Sequence, residues 1–430
     1  MNRPKLLPVL VACFLLLGGC AAVSTGAEPL PSDDGATALS IEVFDPASFY
    51  QDAAIKFEKL TGVKVNVINH YSAAQGYNNQ DYAYIDRIPG ELMAGKGADI
   101  YANVNLDFAA IGEQGYLCNL ADWIAADPDI SDETYYTNIW RAGFNTGDVY
   151  SFPMFMMSMS FGADVDVPEI EGKNLNWEEF FEATKGISKN GVLLGLSDRD
   201  IFLRRFEDRY ERFIDDKNKT QSLDSPDMIA LLTQCKEWSK QGLCIPDNAD
   251  NYKDIYDNAF IKEYGCDINA LTNVRAQNNN MGDNPYWYDI PTDTGKIDKA
   301  NKLLTTDNVC INAASPHKGT AWKFIKFLLT KDVQATGFLL SINREAAADH
   351  ISKLLTSCIG YSAQNNDAEQ AIQETEAVLD AISVLPRKAG LTGIEKIVSK
   401  ESTRYFANEV SAEEAAKKMA EAVSLYMKEQ

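Results

Sequence analysis

Apolar and polar residues follow two different periods along this chain, and the period changes from one short segment to the next. Residues 39–44 alternate with a period of two, which predicts a β-strand. Residues 49–60 repeat their apolar side chains at helical spacing, and Gly62 would end that helix. Residues 63–68 alternate again. A strand, a helix and a strand in this order form a β-α-β unit, so we expect a parallel sheet.

The alternation of helix and strand continues to the C-terminus. A helix is predicted over 85–93 and a strand over 99–104, followed by an extended, Met-rich segment over 150–157. Later, residues 309–312 have the pattern of a strand, and residues 320–340 carry an apolar helical face. The chain therefore repeats an α/β pattern on both sides of residue 150, which predicts two lobes.

Two capping boxes mark helix starts within this pattern. Asn176 with Glu179, and Ser411 with Glu414, have the spacing at which each side chain bonds the backbone of the other. Open parallel sheets bind ligands at the carboxyl ends of their strands. Two such lobes facing each other would form a cleft, which is the expected ligand site.

The N-terminus resembles a bacterial export signal. Arg3 and Lys5 precede an apolar run over 6–17 that is too short to span a bilayer. Gly18-Gly19-Cys20 then resembles a lipobox, which implies removal of residues 1–19 and a diacylglycerol thioether on Cys20. A plain signal peptide is the alternative. Residues 20–38 hold few large apolar side chains, so we expect a flexible tether after the lipidated cysteine.

The charge excludes some partners. The formal net charge is −22, from 62 acidic and 40 basic residues. Such a surface opposes binding to phosphate backbones, so we expect no nucleic acid partner. His70, His317 and His350 lie far apart and no C-x-x-C is present, so we expect no metal site, and no sequence motif calls for a cofactor.

The cysteines leave two interpretations open. After Cys20 the chain holds Cys118, Cys235, Cys244, Cys266, Cys310 and Cys358. An even number in an exported protein permits disulfides, and Cys235 with Cys244 is the pair closest in sequence. Buried free thiols are the alternative, because a domain of this size needs no cross-links.

Several segments together resemble a known family. They include FEKLTGVKV from Phe57, LMAGKGADI from Leu92, GYLCNL from Gly115, INAAS from Ile311 and AWKFIKFLLT from Ala321. In this order and spacing the chain resembles the extracellular solute-binding proteins of bacterial ABC importers, in the group that includes the maltodextrin-binding proteins. The resemblance covers most of the chain from residue 39 on.

The resemblance implies an α/β, two-lobe periplasmic-binding-protein-like fold of type II, with the ligand cleft between the lobes. The first lobe would hold 39–150 and 310–343, and the second 155–305 and 344–430. The implied function is capture of an extracellular solute, a carbohydrate first of all, and its delivery to ABC transporter permease subunits. The protein would act as a monomer, lipid-anchored on the extracytoplasmic face of the cell membrane, and perform no chemistry.

The resemblance also implies ligand contacts in loops at the strand ends. The candidates are Asp45, Ser48, Phe49 and Tyr50 after the first strand; Asn103, Asn105 and Asp107 after the third; and Asp198, Arg199, Phe202, Asn273, Arg275, Trp287 and Thr392 in the second lobe. Short carboxylates and amides suit paired hydroxyls, and an indole can stack on a sugar ring. Helix N-capping is the alternative for the first-lobe polar residues, and core packing is the alternative for Trp287.

One segment departs from the family pattern. Sugar-binding relatives commonly carry a polar or acidic group in the crossover between lobes, where this chain has Met154-Phe155-Met156-Met157-Ser158-Met159. This favours an apolar, adaptable cleft floor over an oligosaccharide site, unless these side chains are ordinary core. A surface-anchored carbohydrate-active enzyme and a ligand sensor or adhesin remain rival functions. No nucleophile motif or phosphate loop supports the enzyme.

Overall fold

The computed structural model describes residues 29–72, 83–104, 106–143, 147–187, 191–266, 286–293, 303–357, 365–382 and 393–429. The strands are β1 (Ala38–Val43), β2 (Lys64–Asn69), β3 (Ile100–Ala102), β4 (Phe152–Ala163), β5 (Leu194–Ser197), β6 (Ile214–Asp215), β7 (Thr220–Gln221), β8 (Cys244–Ile245), β9 (Ile261–Cys266), β10 (Tyr286–Tyr288), β11 (Leu303–Ile311) and β12 (Leu340–Ser341).

The helices alternate with these strands. They are α1 (Phe49–Thr61), α2 (Ala83–Met93), α3 (Phe108–Glu113), α4 (Ala121–Ala126), α5 (Thr137–Ala142), α6 (Trp177–Thr184), α7 (Asp198–Asp208), α8 (Tyr210–Phe213), α9 (Pro226–Lys240), α10 (Tyr252–Asp257), α11 (Lys318–Leu328), α12 (Lys331–Gln334), α13 (Arg344–Ser357), α14 (Asn365–Asp380), α15 (Gly393–Phe406) and α16 (Ala412–Glu429).

Local sequence accounts for the helix ends that were predicted. Gly62 ends α1 with a φ of 77°, a left-handed conformation that a residue without a Cβ adopts at low cost. Asn176 and Glu179 form both hydrogen bonds of a capping box at the start of α6. The Ser411 hydroxyl accepts the backbone N–H of Glu414 before α16. These elements follow from residues that are neighbours in sequence.

The long helix predicted over 320–340 is divided instead. α11 ends at Leu328, and Thr330 adopts an extended conformation before α12 begins. The Gln334 side chain is buried, donates to the Leu328 carbonyl and accepts the Ser341 hydroxyl. This turn brings β12 against β4, so the demands of the sheet override an uninterrupted helical pattern.

A single long sheet runs through the molecule. Its order is β2-β1-β3-β11-β4-β9-β5-β8, and β10 and β12 also pair with β4. β1 is parallel to β2 and β3, as predicted. β4 is antiparallel to β11 on its first half and to β9 on its second half. β4 and β11 are therefore the strands that cross between the two ends of the sheet.

Two large apolar cores lie at the two ends of the sheet. Phe152, Met154, Phe155 and Met156 of β4 belong to the first core, which also holds α1 and α11. Phe161 and Ala163 at the other end of β4 belong to the second core, with α6, α7 and α9. The long strand thus leaves one core and enters the other, as expected of a two-lobe fold.

The C-terminal segment is divided between these cores, whereas the family resemblance implies that all of 344–430 lies in the second lobe. The buried side chains of α13 and α14 pack in the first core, and those of α15 and α16 in the second. Arg344 lies over the Tyr136 ring at 4.1 Å and pairs with Asp380. The Asn138 amide donates to two carbonyls at the end of α14. These contacts hold 344–382 to the first lobe.

The cysteines that the structure describes are buried free thiols. They are Cys118, Cys235, Cys244 and Cys310, so the suggested Cys235–Cys244 disulfide is not formed. Cys358 and the side chain of Cys266 lie outside the described residues. Among the helices of the described ranges, none combines the length and apolar character needed to cross a membrane.

Candidate functional site

The strand registers direct both lobes toward one stretch of the crossover. β1 pairs Val43 with Ala102 at the end of β3, and β3 pairs antiparallel with β11. The carboxyl ends of β1 and β3 therefore point toward the middle of β11. From the other lobe, β9 pairs its last residue with Ser158 of β4, and β5 runs parallel to β9. Both sets of strand ends thus converge where parallel sheets bind ligands.

Asp45 is a helix cap in this arrangement. One carboxylate oxygen accepts the backbone N–H of Ala47 at 2.9 Å, and the other accepts that of Tyr50 at 2.9 Å. The side chain is buried. Ser48 is exposed, has a φ of 61° and caps nothing with its hydroxyl. Asp45 therefore caps the helix, as the capping alternative predicts, whereas the Ser48 hydroxyl makes no capping hydrogen bond.

Tyr50 connects the first lobe to the crossover strand. Its phenol donates a 3.3 Å hydrogen bond to the carboxylate of Asp307 in β11. Asp307 has a φ of 55°, a left-handed conformation that is uncommon for a residue other than glycine. Burial, with the nearby charge of Asp45, raises the pKa of Asp307 to about 6. This places an acceptor with an adjustable charge at the convergence of the strand ends.

Asp307 was not among the predicted site residues. The resemblance implies a polar or acidic group in the crossover segment, which forms β4, and the acidic group lies instead in β11, the antiparallel neighbour of that strand. Its sequence signal was the polar run Thr305-Thr306-Asp307-Asn308 directly before an apolar strand end. Thr306 donates its hydroxyl to the Asp307 carboxylate, so the pair belongs to one local network.

Phe49 and the methionines of β4 provide the apolar part of the site. The Phe49 ring meets Phe155 edge to face, with centroids 5.1 Å apart. Met154 and Met156 are buried in the first core, as the core interpretation expected. Met157 and Met159 lie two residues apart on one face of the strand and are partly exposed. Met157 pairs with Leu304 of β11, three positions before Asp307, so the two methionines give the crossover an adaptable apolar surface.

The described side chains of the loop after β3 make hydrogen bonds to the backbone. Asn103 has a φ of 51°, and its amide donates to the Phe44 carbonyl at 2.6 Å, which ties the end of β1 to β3. Its backbone N–H bonds the Asn308 carbonyl of β11. Asp107 accepts the backbone N–H of Ala110 and caps α3. The Asn103 side chain therefore joins two strand ends, and the Asp107 side chain caps a helix.

The second-lobe candidates divide between core and strand end. Asp198 is buried, accepts the Ser239 hydroxyl at 2.6 Å and the Asp247 backbone N–H at 2.9 Å, and burial raises its pKa. Phe202 is buried in the second core. Arg199 is partly exposed and contacts Asp247 at 3.1 Å and the Ser399 hydroxyl at 3.2 Å. Of these three predicted residues, Arg199 retains a surface toward solvent.

The other predicted residues fall in or beside segments outside the described ranges. Cys20, Asn105, Asn273, Arg275 and Thr392 lie outside the described residues, as does the side chain of Trp287. The backbone of Trp287 pairs with Gly162 in the short strand β10. Its neighbour Tyr288 is buried and accepts the Val167 backbone N–H, whereas Tyr286 is exposed. Within the described part of the chain, no group of three or more His, Cys, Asp or Glu side chains could hold a metal ion.

The arrangement of two α/β lobes with strand ends facing a shared crossover is that of a two-lobe solute-binding fold. Residues 52–351 match the family model of the bacterial extracellular solute-binding proteins. This chain belongs to that family. Its place outside the cytoplasm follows from the family's description. No curated protein sequence is similar enough to the chain to count as a relative.

Solved structures of similar fold cover nearly the whole chain. One is a solute-binding protein of an ABC transporter from Thermotoga lettingae TMO, bound with alpha-D-tagatose, with a TM-score of 0.59 and 16% identity over 91% of this chain and 100% of that one. Another is the GacH receptor of Streptomyces glaucescens GLA.O, in unliganded and acarbose-bound forms, with a TM-score of 0.57 and 17% identity over 91% and 99%. A third is maltose-bound T. maritima MalE3, with a TM-score of 0.58 and 16% identity over 90% of this chain and 99% of that one. At these identities the likeness establishes the fold.

Proposed function

We propose that this chain is the solute receptor of an ABC importer, and that it closes on a carbohydrate at the crossover between its lobes. The observation that carries the proposal is the convergence of strand ends on the crossover, where the Tyr50 phenol contacts Asp307 of β11 and Met157 and Met159 of β4 are partly exposed. A carboxylate and a phenol suit hydroxyl groups, and the thioethers suit the apolar face of a sugar ring. The sugars bound to the structural neighbours support the same class.

We further propose that residues 1–19 are removed on export and that Cys20 carries the lipid. Two or more acyl chains hold a protein stably on a membrane, where one chain alone is marginal. The receptor then stays beside its permease, as a monomer. Mass spectrometry of the mature N-terminus tests the modification directly, and Cys20→Ala should move the protein from the membrane to the medium or periplasm. A Cys20→Ala protein that stays membrane-bound would contradict the anchor.

The binding proposal is tested by thermal unfolding of the full chain carrying Cys20→Ala. Mono- and oligosaccharides are screened together with amino acids, polyamines and organic acids. A ligand at 100 times its dissociation constant stabilises the folded state by about 2.7 kcal/mol. If a solute other than a sugar shifts the transition and no sugar does, the carbohydrate class is wrong. Hydrolysis of a screened glycan would instead support the rival enzyme.

Two variants locate the site once a ligand is found. Asp307→Asn and Tyr50→Phe each remove one hydrogen-bonding group at the crossover, and we expect each to weaken binding about tenfold or more. Asp332→Asn is the matched control, because Asp332 is exposed on α12. Equal affinities for all three variants would place the ligand elsewhere.

A further inference from the structure

The residues before β1 are held on the surface of the first lobe. The composition predicts a flexible tether over 20–38, yet the Asp34 carboxylate accepts hydrogen bonds from the backbone N–H of Thr320, at 3.1 Å, and from its hydroxyl. Asp33 pairs with Lys323 one turn further along α11. Leu30 packs against the first core. We call residues 30–37 the strap.

The strap supplies what α11 lacks at its own N-terminus. His317, the residue before the helix, makes no side-chain cap, and the first turn of α11 holds no acidic residue. A carboxylate at this position satisfies free N–H groups and favours the positive end of the helix dipole. Burial opposes ionisation of Asp34, but hydrogen bonds from Thr320, Ala36 and Gly319 outweigh it and lower the pKa of the carboxyl group. Asp34 therefore acts as the cap of a helix 286 residues away.

Gly319 provides the seat for the strap. A Cβ at Gly319 would lie 1.9 Å from the Ser32 carbonyl oxygen, so only glycine permits this approach. At the other end of the strap, the Thr37 carbonyl accepts the backbone N–H of Lys64 at the start of β2. Each of these contacts is made to the first lobe.

We propose that the strap fixes the point at which the membrane anchor leaves the protein, so that the first lobe is held close to the bilayer while the second lobe is free to close on the solute. The proposal rests on the lipid anchor proposed above. From Cys20 to Leu30 the chain can reach at most about 35 Å, compared with about 60 Å from Cys20 to Ala38 if the strap were released. The strap thus shortens the length of chain between the lipid and the folded protein, and it attaches that chain to the first lobe.

Hydrogen exchange on the full chain tests the docking. The Thr320 amide donates to Asp34 and the Lys64 amide donates to Thr37. We expect both amides to be protected in the unaltered protein, and Asp34→Ala to speed exchange at Thr320 at least tenfold. Asp332→Ala, on the exposed surface of α12, is the control. Unprotected Thr320 in the unaltered protein, or equal exchange in Asp34→Ala and the control, would overturn the docking.

Gly319→Ala is the second variant and does not depend on the cap. Alanine favours the helix more than glycine does, so the lobe should stay folded while the added methyl displaces the Ser32 carbonyl. Faster exchange at the Thr320 amide, which donates to Asp34, supports the proposal in this variant, and unchanged exchange there contradicts it. The result of this test is independent of acylation.

The membrane consequence is measured with the lipidated protein on phosphatidylcholine vesicles that carry a head-group acceptor dye. A donor dye is attached through Lys59→Cys, an exposed position on α1. We expect energy transfer to the bilayer to fall when Gly319→Ala is added, because the length of chain between the lipid and the first lobe increases. Equal energy transfer with and without Gly319→Ala would contradict the proposal that the strap shortens the chain between the lipid and the first lobe. If no protein is acylated, the anchor fails, whereas the exchange experiments still decide whether the strap docks.

Discussion

The phenol of Tyr50 and the carboxylate of Asp307 lie 3.3 Å apart, although 257 residues separate them in the chain. The first belongs to α1 of the first lobe and the second to the strand that crosses between lobes. This contact joins a helix beside the proposed ligand to the segment about which two lobes would move. Substitution of Asp307 therefore tests this arrangement directly.

Asp307 should give the protein a pH-dependent stability. Its pKa rises from 3.8 to about 6, chiefly through burial. Because the native carboxyl binds its proton more tightly than the unfolded one, stability from protonation is complete below about pH 4 and is lost as the pH rises through about 6. We expect Asp307→Asn to be more stable than the unaltered protein by about 1–3 kcal/mol at pH 7, with the difference vanishing near pH 4. Urea unfolding between pH 4 and 8 measures this.

Asp332→Asn serves as the control for that series, since Asp332 is exposed on α12. Its stability should follow that of the unaltered protein at every pH. A pH dependence that persists unchanged in Asp307→Asn would show that other groups cause it.

Gly337 should be essential for the packing of the Phe155 ring. A Cβ at Gly337 would lie 2.4 Å from a ring atom of Phe155, and Phe155 in turn contacts Phe49. We expect Gly337→Ala to destabilise the protein by about 1–3 kcal/mol, as overpacking generally does. Gly90→Ala is the matched control, because its Cβ meets nothing within 4 Å in the interior of α2. That variant should be more stable by about 0.5–1 kcal/mol. Equal effects of the two substitutions would show that Phe155 yields without cost.

The parts of this fold that were predictable are those encoded by near neighbours. The capping box of Asn176 and Glu179 needs residues three positions apart, and the parallel β1–β2 pair needs one β-α-β unit. From sequence, Asp45 is equally a cap and a ligand contact, and only the structure shows that its carboxylate accepts two backbone N–H groups. Asp34 and Asp307 could not be assigned, because their partners lie more than 250 residues away.

The buried cysteines should be unreactive in the native state. Burial raises the pKa of Cys235 to about 12, although the nearby Arg205 opposes the shift, and thiolate is the reactive form. We expect the thiols of Cys118, Cys235, Cys244 and Cys310 to resist a thiol reagent until urea unfolds the chain, and then to react without prior reduction. Mass spectrometry of labelled peptides assigns each site. If Cys235 and Cys244 reacted only after reduction, the two residues would form a disulfide and the prediction would be wrong.

Arg205 should be the most costly charged residue to remove from the second lobe. Its side chain is fully buried, pairs with Glu178 at 2.6 Å and Asp293 at 2.7 Å, and lies over the Trp238 ring at 4.9 Å. Arg205→Met would leave the nearly buried Asp293 with one arginine partner in place of two. Breaking a buried ion pair from one side costs about 3–5 kcal/mol, which urea unfolding at pH 7 would detect.

Two further variants separate the charge from the packing. Adding Asp293→Asn to Arg205→Met removes a buried carboxylate that has lost one of its two arginine partners. It should recover part of the loss, because the penalty lies in the buried charge left behind. Arg212→Met is the control, since Arg212 and its partner Asp227 are both exposed, and such pairs contribute about 0–1 kcal/mol. If the double variant were no more stable than Arg205→Met, the stabilising role of Arg205 would come from its packing on Trp238 rather than from its charge.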